Sequence, residues 1–365
     1  MVSSALGVDS VRGSNRRPWP AARIMIFMVG SVPFFLAGLA LGFSQWHLRA
    51  LPSTRAVSRI PDPAMFTLAH FTDPHIGPMP PARLLELLGK RLTGYLSWRG
   101  NRVHIHAMAV LEALVKDIRA HKPDHIALTG DVINISLPAE YRRAATWLAQ
   151  VAPPEQLSLV PGNHDRYVRV PAGRGLELWR PWMRGNEAAM NAGLIPEAVS
   201  SPAGFPYVRL FGKVAIIGVS SAVVTPPFVA AGRLGRRQRH DLERLLARLG
   251  QDGFFRVLLI HHPPLPGQNR KRKALADRDQ MQAILLETGA ELVLHGHNHK
   301  PMLTMLDGKN GPVAVVGGRS ASAVPMPRRP CGAGYNLFHV SRRNDRWKCV
   351  SRAFVLASPP QKGHA

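Results

Sequence analysis

From residue 65 onward the chain alternates short apolar runs with longer amphipathic stretches, and turn-forming residues close each run. The runs predict buried strands at 66–72 (FTLAHFT), 124–129 (DHIALT), 157–160 (LSLV), 213–219 (KVAIIGV), 256–260 (RVLLI), 291–295 (ELVLH) and 312–317 (PVAVVG). Between them, apolar residues recur three or four apart at 104–121, 138–151, 235–250 and 277–289, which predicts helices with one buried face. Strand–helix alternation of this kind predicts an α/β domain with helices covering the faces of the sheet. Two stretches escape the pattern. Residues 76–103 are basic and punctuated by Pro and Gly, and residues 168–206 are rich in Trp, Arg and Pro. Both exceed ordinary connections, so they are candidate lids or binding loops.

The N-terminus differs in kind. Residues 24–43 (IMIFMVGSVPFFLAGLALGF) are apolar and uncharged, long enough for a transmembrane helix. Arg16, Arg17 and Arg23 precede the stretch, but Arg49, Arg55 and Arg59 follow it, so the charge asymmetry is weak. Met65 opens the first strand and is an alternative start. Translation from Met1 implies a single-pass membrane anchor, and translation from Met65 a cytoplasmic protein. The expected organisation is an N-terminal segment 1–64, an α/β domain 65–345 and a C-terminal tail 346–365.

Five strands end in chemistry. The first runs into Asp73 and His75, the second into Asp131, the third into Asn163, His164 and Asp165, the fifth into His261 and His262, and the sixth into His297 and His299. Open α/β sheets gather ligand-binding groups at the carboxyl ends of their strands. Each motif alone has a plain reading. Asp73 and Asp131 suit turns or a helix cap, Asn163 suits a left-handed turn, and the histidines could be satisfied core side chains. The recurrence of the same residue types at five strand ends argues for convergence. Carboxylate, imidazole and amide oxygen together suit borderline divalent metals such as Mn, Fe, Zn, Co or Ni. The two cysteines, Cys331 and Cys349, form neither a disulfide framework nor a zinc-finger spacing.

Charge narrows the partners. Lys and Arg number 47 against 23 Asp and Glu, a formal net charge of +24. Such a field favours anions: phosphate esters, nucleic acid or acidic lipid head groups. The basic residues are scattered and no nucleic-acid module is recognisable, which disfavours a nucleic-acid partner. The segment 89–102 (GKRLTGYLSWRGNR) mixes cations with Tyr95 and Trp98. It reads as a lipid-surface segment, a stacking platform or a solvated helix. With 24–43 it is the candidate region for membrane association.

The ordered set D-x-H, G-D-x-x-N, G-N-H-D, H-H-P and G-H-x-H resembles the calcineurin-like metallophosphoesterases, over roughly Met65 to Val340. The resemblance implies a four-layer αββα sandwich with a dinuclear metal centre at the sheet edges. It implies that Asp73, His75, Asp131 and His299 hold one ion, and that Asp131, Asn163, His261 and His297 hold the other, with Asp131 bridging. His261 is chosen over His262 as the first residue off its strand. His164 would be the acid near the leaving group, with Asp165 orienting His164, supporting a ligand or capping a helix. Two such ions lower the pKa of a bridging water and neutralise charge on phosphoryl oxygens. Gly77, Gly130, Gly162 and Gly296 would let the chain approach the ions closely. The H-H-P-P and G-H-N-H pattern is more similar to the branch of cyclic-nucleotide and glycerophosphodiester phosphodiesterases, which implies a small phosphodiester substrate. Monoester or pyrophosphate hydrolysis, a metal-free scaffold and a nucleic-acid-binding protein are the competing readings.

Overall fold

The computed structural model describes residues 25–35, 65–194, 204–326 and 331–357. Among the described residues, twelve strands form two sheets. The first contains β1 (Met25–Phe35), β2 (Phe66–Phe71), β3 (His125–Leu128), β4 (Leu157–Leu159), β11 (Cys331–Arg343) and β12 (Arg346–Ala357), in the order β1-β12-β11-β2-β3-β4. The second contains β5 (Tyr207–Phe211), β6 (Val214–Gly218), β7 (Phe255–Leu259), β8 (Leu292–His295), β9 (Met302–Gly308) and β10 (Gly311–Gly317), in the order β5-β6-β7-β8-β10-β9. Strands β2, β3 and β4 are mutually parallel, as are β6, β7, β8 and β10, so each sheet aims several carboxyl ends in one direction.

Side-chain alternation explains the layering. Val214, Ile216, Val257, Leu259, Leu292 and Leu294 of the second sheet join the core shared with the first sheet. Their neighbours Ala215, Ile217, Leu258 and Val293 face a separate core with helices Arg236–Gln251 and Arg278–Thr288. A strand buried on both faces reads as an unbroken apolar run, which is why these strands were legible. Ring contacts Phe66–Phe211 and Phe255–Trp347 join the sheets, at centroid distances of 5.4 and 5.5 Å. Helices Met108–Ala120 and Pro138–Val151 cover the first sheet, with Trp147 edge-on to Phe71. The result is the αββα sandwich expected from the sequence.

Three expectations change. The tail expected at 346–365 instead carries β12, paired antiparallel with β11 through a two-residue turn at Asn344 and Asp345, both at positive φ. Of the stretch read as a transmembrane helix, Met25–Phe35 is an edge strand parallel to β12, and residues 24 and 36–43 lie outside the described residues. Among the described residues no helix is long and apolar enough to cross a membrane. The 168–206 stretch fills core rather than forming a lid over its described part. Trp179 and Trp182 are buried, and their indole N–H groups donate to the carbonyls of Tyr141 and Ala152.

Candidate metal centre

The loops leaving β2, β3 and β4 meet those leaving β7 and β8 at one edge of the sandwich. Backbone bonds zip these loops together before any side chain contributes. Asp73, His75 and Ile76 donate N–H to the carbonyls of Gly130, Asp131 and Val132, and Gly296 donates to His261. Seven predicted residues thereby converge: Asp73, His75, Asp131, Asn163, His261, His297 and His299.

They form two overlapping groups. In the first, donor atoms of Asp73, His75, Asp131 and His299 all lie within 4.8 Å of one another and could hold a metal ion. His299 Nε2 is 3.2 Å from Asp73 Oδ1 and 3.4 Å from His75 Nε2. In the second, Asn163 Oδ1 is 2.8 Å from His297 Nδ1 and 3.2 Å from His261 Nε2. Asp131 Oδ2 belongs to both, at 3.4 Å from His261 Nε2 and 4.0 Å from His75 Nε2. Nitrogens and oxygens this close, with few protons to share, make a poor hydrogen-bond network and a good donor set for cations.

Orientation fits as well. His261 Nδ1 donates to the Thr129 carbonyl at 2.7 Å, which turns Nε2 towards Asp131. His297 Nε2 is buried without a hydrogen-bond partner. Five of the seven residues hold left-handed backbone, with φ of 51° at Asp73, 40° at His75, 52° at Asp131, 70° at His297 and 53° at His299. Non-glycine residues in this region carry strain that surrounding structure must over-determine, and such strain gathers at functional sites.

Burial governs the titration. It drives His75 and His297 well below the ordinary histidine pKa, aided by neighbouring imidazoles. Both therefore stay neutral, the form that binds metal. Burial alone would raise Asp131, but His261, His164 and His75 hold it well below the usual carboxylate range. Burial opposes protonation of His261, yet Asp131 overrides it and pushes His261 up to about 9.

Close approach makes three glycines obligatory, among them Gly130, where a Cβ would sit 2.5 Å from the backbone nitrogen of Gly162. A Cβ on Gly162 would sit 2.2 Å from Asp131 Oδ1, and one on Gly296 would sit 2.0 Å from Thr72 Oγ1 and 2.5 Å from Asp73 Oδ2. Gly77 differs from the expectation: a Cβ there would meet nothing within 4 Å, so no close approach requires glycine.

His164 lies beside the cluster, its ring 5.1 Å from that of His75 and stacked on Tyr167 at 5.6 Å. Its backbone N–H donates to Asp131 Oδ1 at 2.7 Å, and its Nδ1 is bonded to the Asn134 carbonyl, which leaves Nε2 free. Burial and the charge of Arg102 lower its pKa to about 3. Asp165 is elsewhere. Its carboxylate accepts the N–H groups of Val132 (2.8 Å), Ile133 (3.0 Å) and Gly162 (2.8 Å), so it fastens two ligand-bearing loops and contacts neither the donor atoms nor the His164 ring. His262 adjoins the cluster, its ring 4.5 Å from that of His297 and a ring nitrogen within 4.8 Å of those of His261 and His297, but both its nitrogens are engaged, Nδ1 with Ser221 Oγ at 2.8 Å and Nε2 with the Ala230 carbonyl at 3.2 Å.

Two residues at the site were not expected. His106 packs its ring 4.6 Å from that of His75 and hydrogen-bonds Ser322 at 2.8 Å. Arg102 reaches from the 76–103 insertion to within 3.1 Å of His164 Nδ1. It makes no ion pair with a carboxylate among the described residues. Both precede a helix in a segment without strand signals, and neither carries a local motif.

Layered sheets with Asp, His and Asn donors at their shared edge define a protein of the metallohydrolase class. The calcineurin-like phosphoesterase family model matches residues 66–301, and the chain belongs to that family. Among curated relatives, it is 28% identical over 198 residues to a glycerophosphodiester phosphodiesterase of Enterobacter lignolyticus, covering 53% of this chain and 62% of that protein. It is 26% identical over 194 residues to a "Probable cyclic nucleotide phosphodiesterase" of Synechococcus sp., covering 52% and 64%. The chain thus spans a little under two thirds of the length of these relatives. Similar solved structures include a 5'-nucleotidase precursor from Thermus thermophilus (TM-score 0.47, 15% identity, 80% of this chain and 55% of that chain). Another is a dimetal phosphatase from Danio rerio (TM-score 0.45, 12% identity, 80% and 99%).

Proposed function

We propose that the chain is a phosphodiesterase that hydrolyses a small phosphodiester with two divalent ions, one held by Asp73, His75, Asp131 and His299 and the other by Asp131, Asn163, His261 and His297. The observation that carries this reading is the sharing of Asp131 Oδ2 between two donor groups assembled from five strand ends. Mn, Fe, Zn, Co and Ni all suit the donor set. Bound there, the ions would supply an activated water and stabilise charge on the phosphoryl oxygens.

The chain's own residues account for the rest. Asp73 and Asp131 are the only carboxylates among the proposed ligands, and Asn163 adds a neutral oxygen, so the loaded centre keeps a net positive charge that suits an anionic ester. Arg102 supplies a further unpaired cation beside it. His164 is held by Asn134 with Nε2 open, positioned to bear a proton for the departing alkoxide. Burial opposes the charged ring, and an ester anion beside Nε2 favours it. The phosphodiester preference draws on the two curated relatives.

The test compares metal-loaded wild type with Asp131→Asn on bis-p-nitrophenyl phosphate, p-nitrophenyl phosphate and cyclic AMP. The expected result is faster hydrolysis of the diesters, lost in Asp131→Asn together with bound metal. Preference for the monoester would assign a phosphomonoesterase. An Asp131→Asn variant that is active and metal-replete would contradict the site.

A further inference from the structure

The insertion between β2 and helix Met108–Ala120 has two unlike sides. Inward, Leu87, Tyr95 and Trp98 pack on Met79, Ile135, Leu137 and Tyr167. Arg91 donates to the carbonyls of Ile135 and Ser136, at 3.3 and 2.6 Å. The segment is therefore seated, and its short helix Lys90–Ser97 has a fixed orientation. Outward, five leucines face solvent: Leu84 (85% exposed), Leu85 (81%), Leu88 (70%), Leu92 (47%) and Leu96 (60%). Leu92 and Leu96, four apart, share a face of the helix, and Leu84, Leu85 and Leu88 lie in the turn just before it, so the five form a row along one short segment. Single exposed leucines are ordinary, but a row of them marks an interaction surface.

The row continues onto two other loops. Lys90 Nζ donates to Thr225 Oγ1 at 2.9 Å, joining the insertion to the 224–229 loop. That loop exposes Phe228 (78%), a bulky side chain held at φ 64°. Ala230 in turn donates to the carbonyl of Arg272 at 2.9 Å, within the exposed run Arg270-Lys271-Arg272-Lys273. Acidic residues are nearly absent along this face. Glu86 is the sole carboxylate in 79–106, and 222–240 and 265–276 contain none. Leucine and phenylalanine flanked by cations that form no ion pair among the described residues are the composition of a segment that lies in the head-group region of an anionic bilayer. Two copies of this face would repel one another, and its apolar row offers nothing to a nucleic acid.

The face also borders the site. Arg102, at the end of the insertion, touches His164, and the Ala230 carbonyl receives His262. We infer that the face formed by residues 84–96, 224–229 and 270–273 docks on an anionic phospholipid bilayer, seating the mouth of the metal centre at the membrane surface. This docking goes beyond the proposed reaction and does not depend on it.

Hydrogen exchange of the full chain, read by mass spectrometry on phosphatidylcholine vesicles with and without phosphatidylglycerol, gives a local test. Exchange at 84–97 and 224–229 slows roughly tenfold on the anionic vesicles, while helix Arg236–Gln251 is unchanged. Combined Leu84→Glu, Leu85→Glu and Leu88→Glu substitution removes that protection and leaves turnover of soluble bis-p-nitrophenyl phosphate intact. Protein that sediments with vesicles without protection at these residues is held elsewhere, and the inference falls. Equal protection on neutral vesicles, or protection without vesicles that grows with protein concentration, overturns it as well.

Discussion

Removing the Asp165 carboxylate tests whether the site depends on a residue that touches none of its donor atoms. The side chain is fully buried and accepts three backbone N–H groups, those of Val132, Ile133 and Gly162. Two of these amides follow Asp131 and the third precedes Asn163. Asp165→Ala leaves all three buried amides unsatisfied, at about 1–3 kcal/mol each. Water entering the vacated space recovers part of this, so a loss of about 3–6 kcal/mol is expected. Asp165→Asn keeps one acceptor and loses less, about 2 kcal/mol, which provides a folded variant should alanine prove too disruptive. Urea denaturation in the presence of a chelator isolates this effect from stabilisation by bound metal. On the asparagine variant, metal affinity falls roughly 10–100-fold, the usual consequence of removing support behind ligands. Unchanged stability with unchanged metal affinity refutes the fastening role. A fall in kcat alone, with both of those intact, moves Asp165 into the chemistry instead.

Other outcomes follow from single contacts. Gly162→Ala drives a methyl into Asp131 and lowers both metal content and turnover, while an uncrowded control at ordinary backbone, Gly100→Ala, leaves the metal in place; atomic-emission analysis distinguishes them. Arg102→Met removes the unpaired cation and raises KM for bis-p-nitrophenyl phosphate roughly 10–100-fold, from a charge-assisted bond of about 1.5–3 kcal/mol, with metal content unchanged. His164→Ala retains metal and slows alkyl esters more than p-nitrophenyl esters; equal losses exclude it as the acid. Far from the site, Glu291 forms two bonds to the Arg256 guanidinium, at 2.9 and 2.6 Å, in a buried pair. Glu291→Ala therefore lowers unfolding free energy by about 3–5 kcal/mol without changing ligand geometry, measurable by denaturation.

Legibility in the sequence tracked burial. Strands such as 256–260 and 291–295 are buried on both faces, so their continuous apolar runs announced them, and the loops that follow carry donors too concentrated to overlook. The strands β5, β9 and β12 are not legible: β9 (MLTMLDG) is half solvated along its length, and basic residues interrupt the apolar pattern of YVRLF and RWKCVSRAFVLA. The Asn344–Asp345 turn was the signal that a hairpin was present. Within the site, residues in tight motifs were found, whereas Arg102 and His106 were not, since tertiary packing of the insertion alone brings them there. For Asp165 the motif leaves three roles open, orienting His164, supporting a ligand or capping a helix, and the structure gives its oxygens to amides of the ligand-bearing loops.

The central claim is that two cations sharing Asp131 make the site. Stepwise metal titration of chelated protein, with bound metal and bis-p-nitrophenyl phosphate hydrolysis followed in the same samples, addresses it directly. Saturation at two ions per chain is expected, with activity reaching its maximum only as the second binds. Saturation at one ion with full activity, or two bound ions with no hydrolysis, would contradict it.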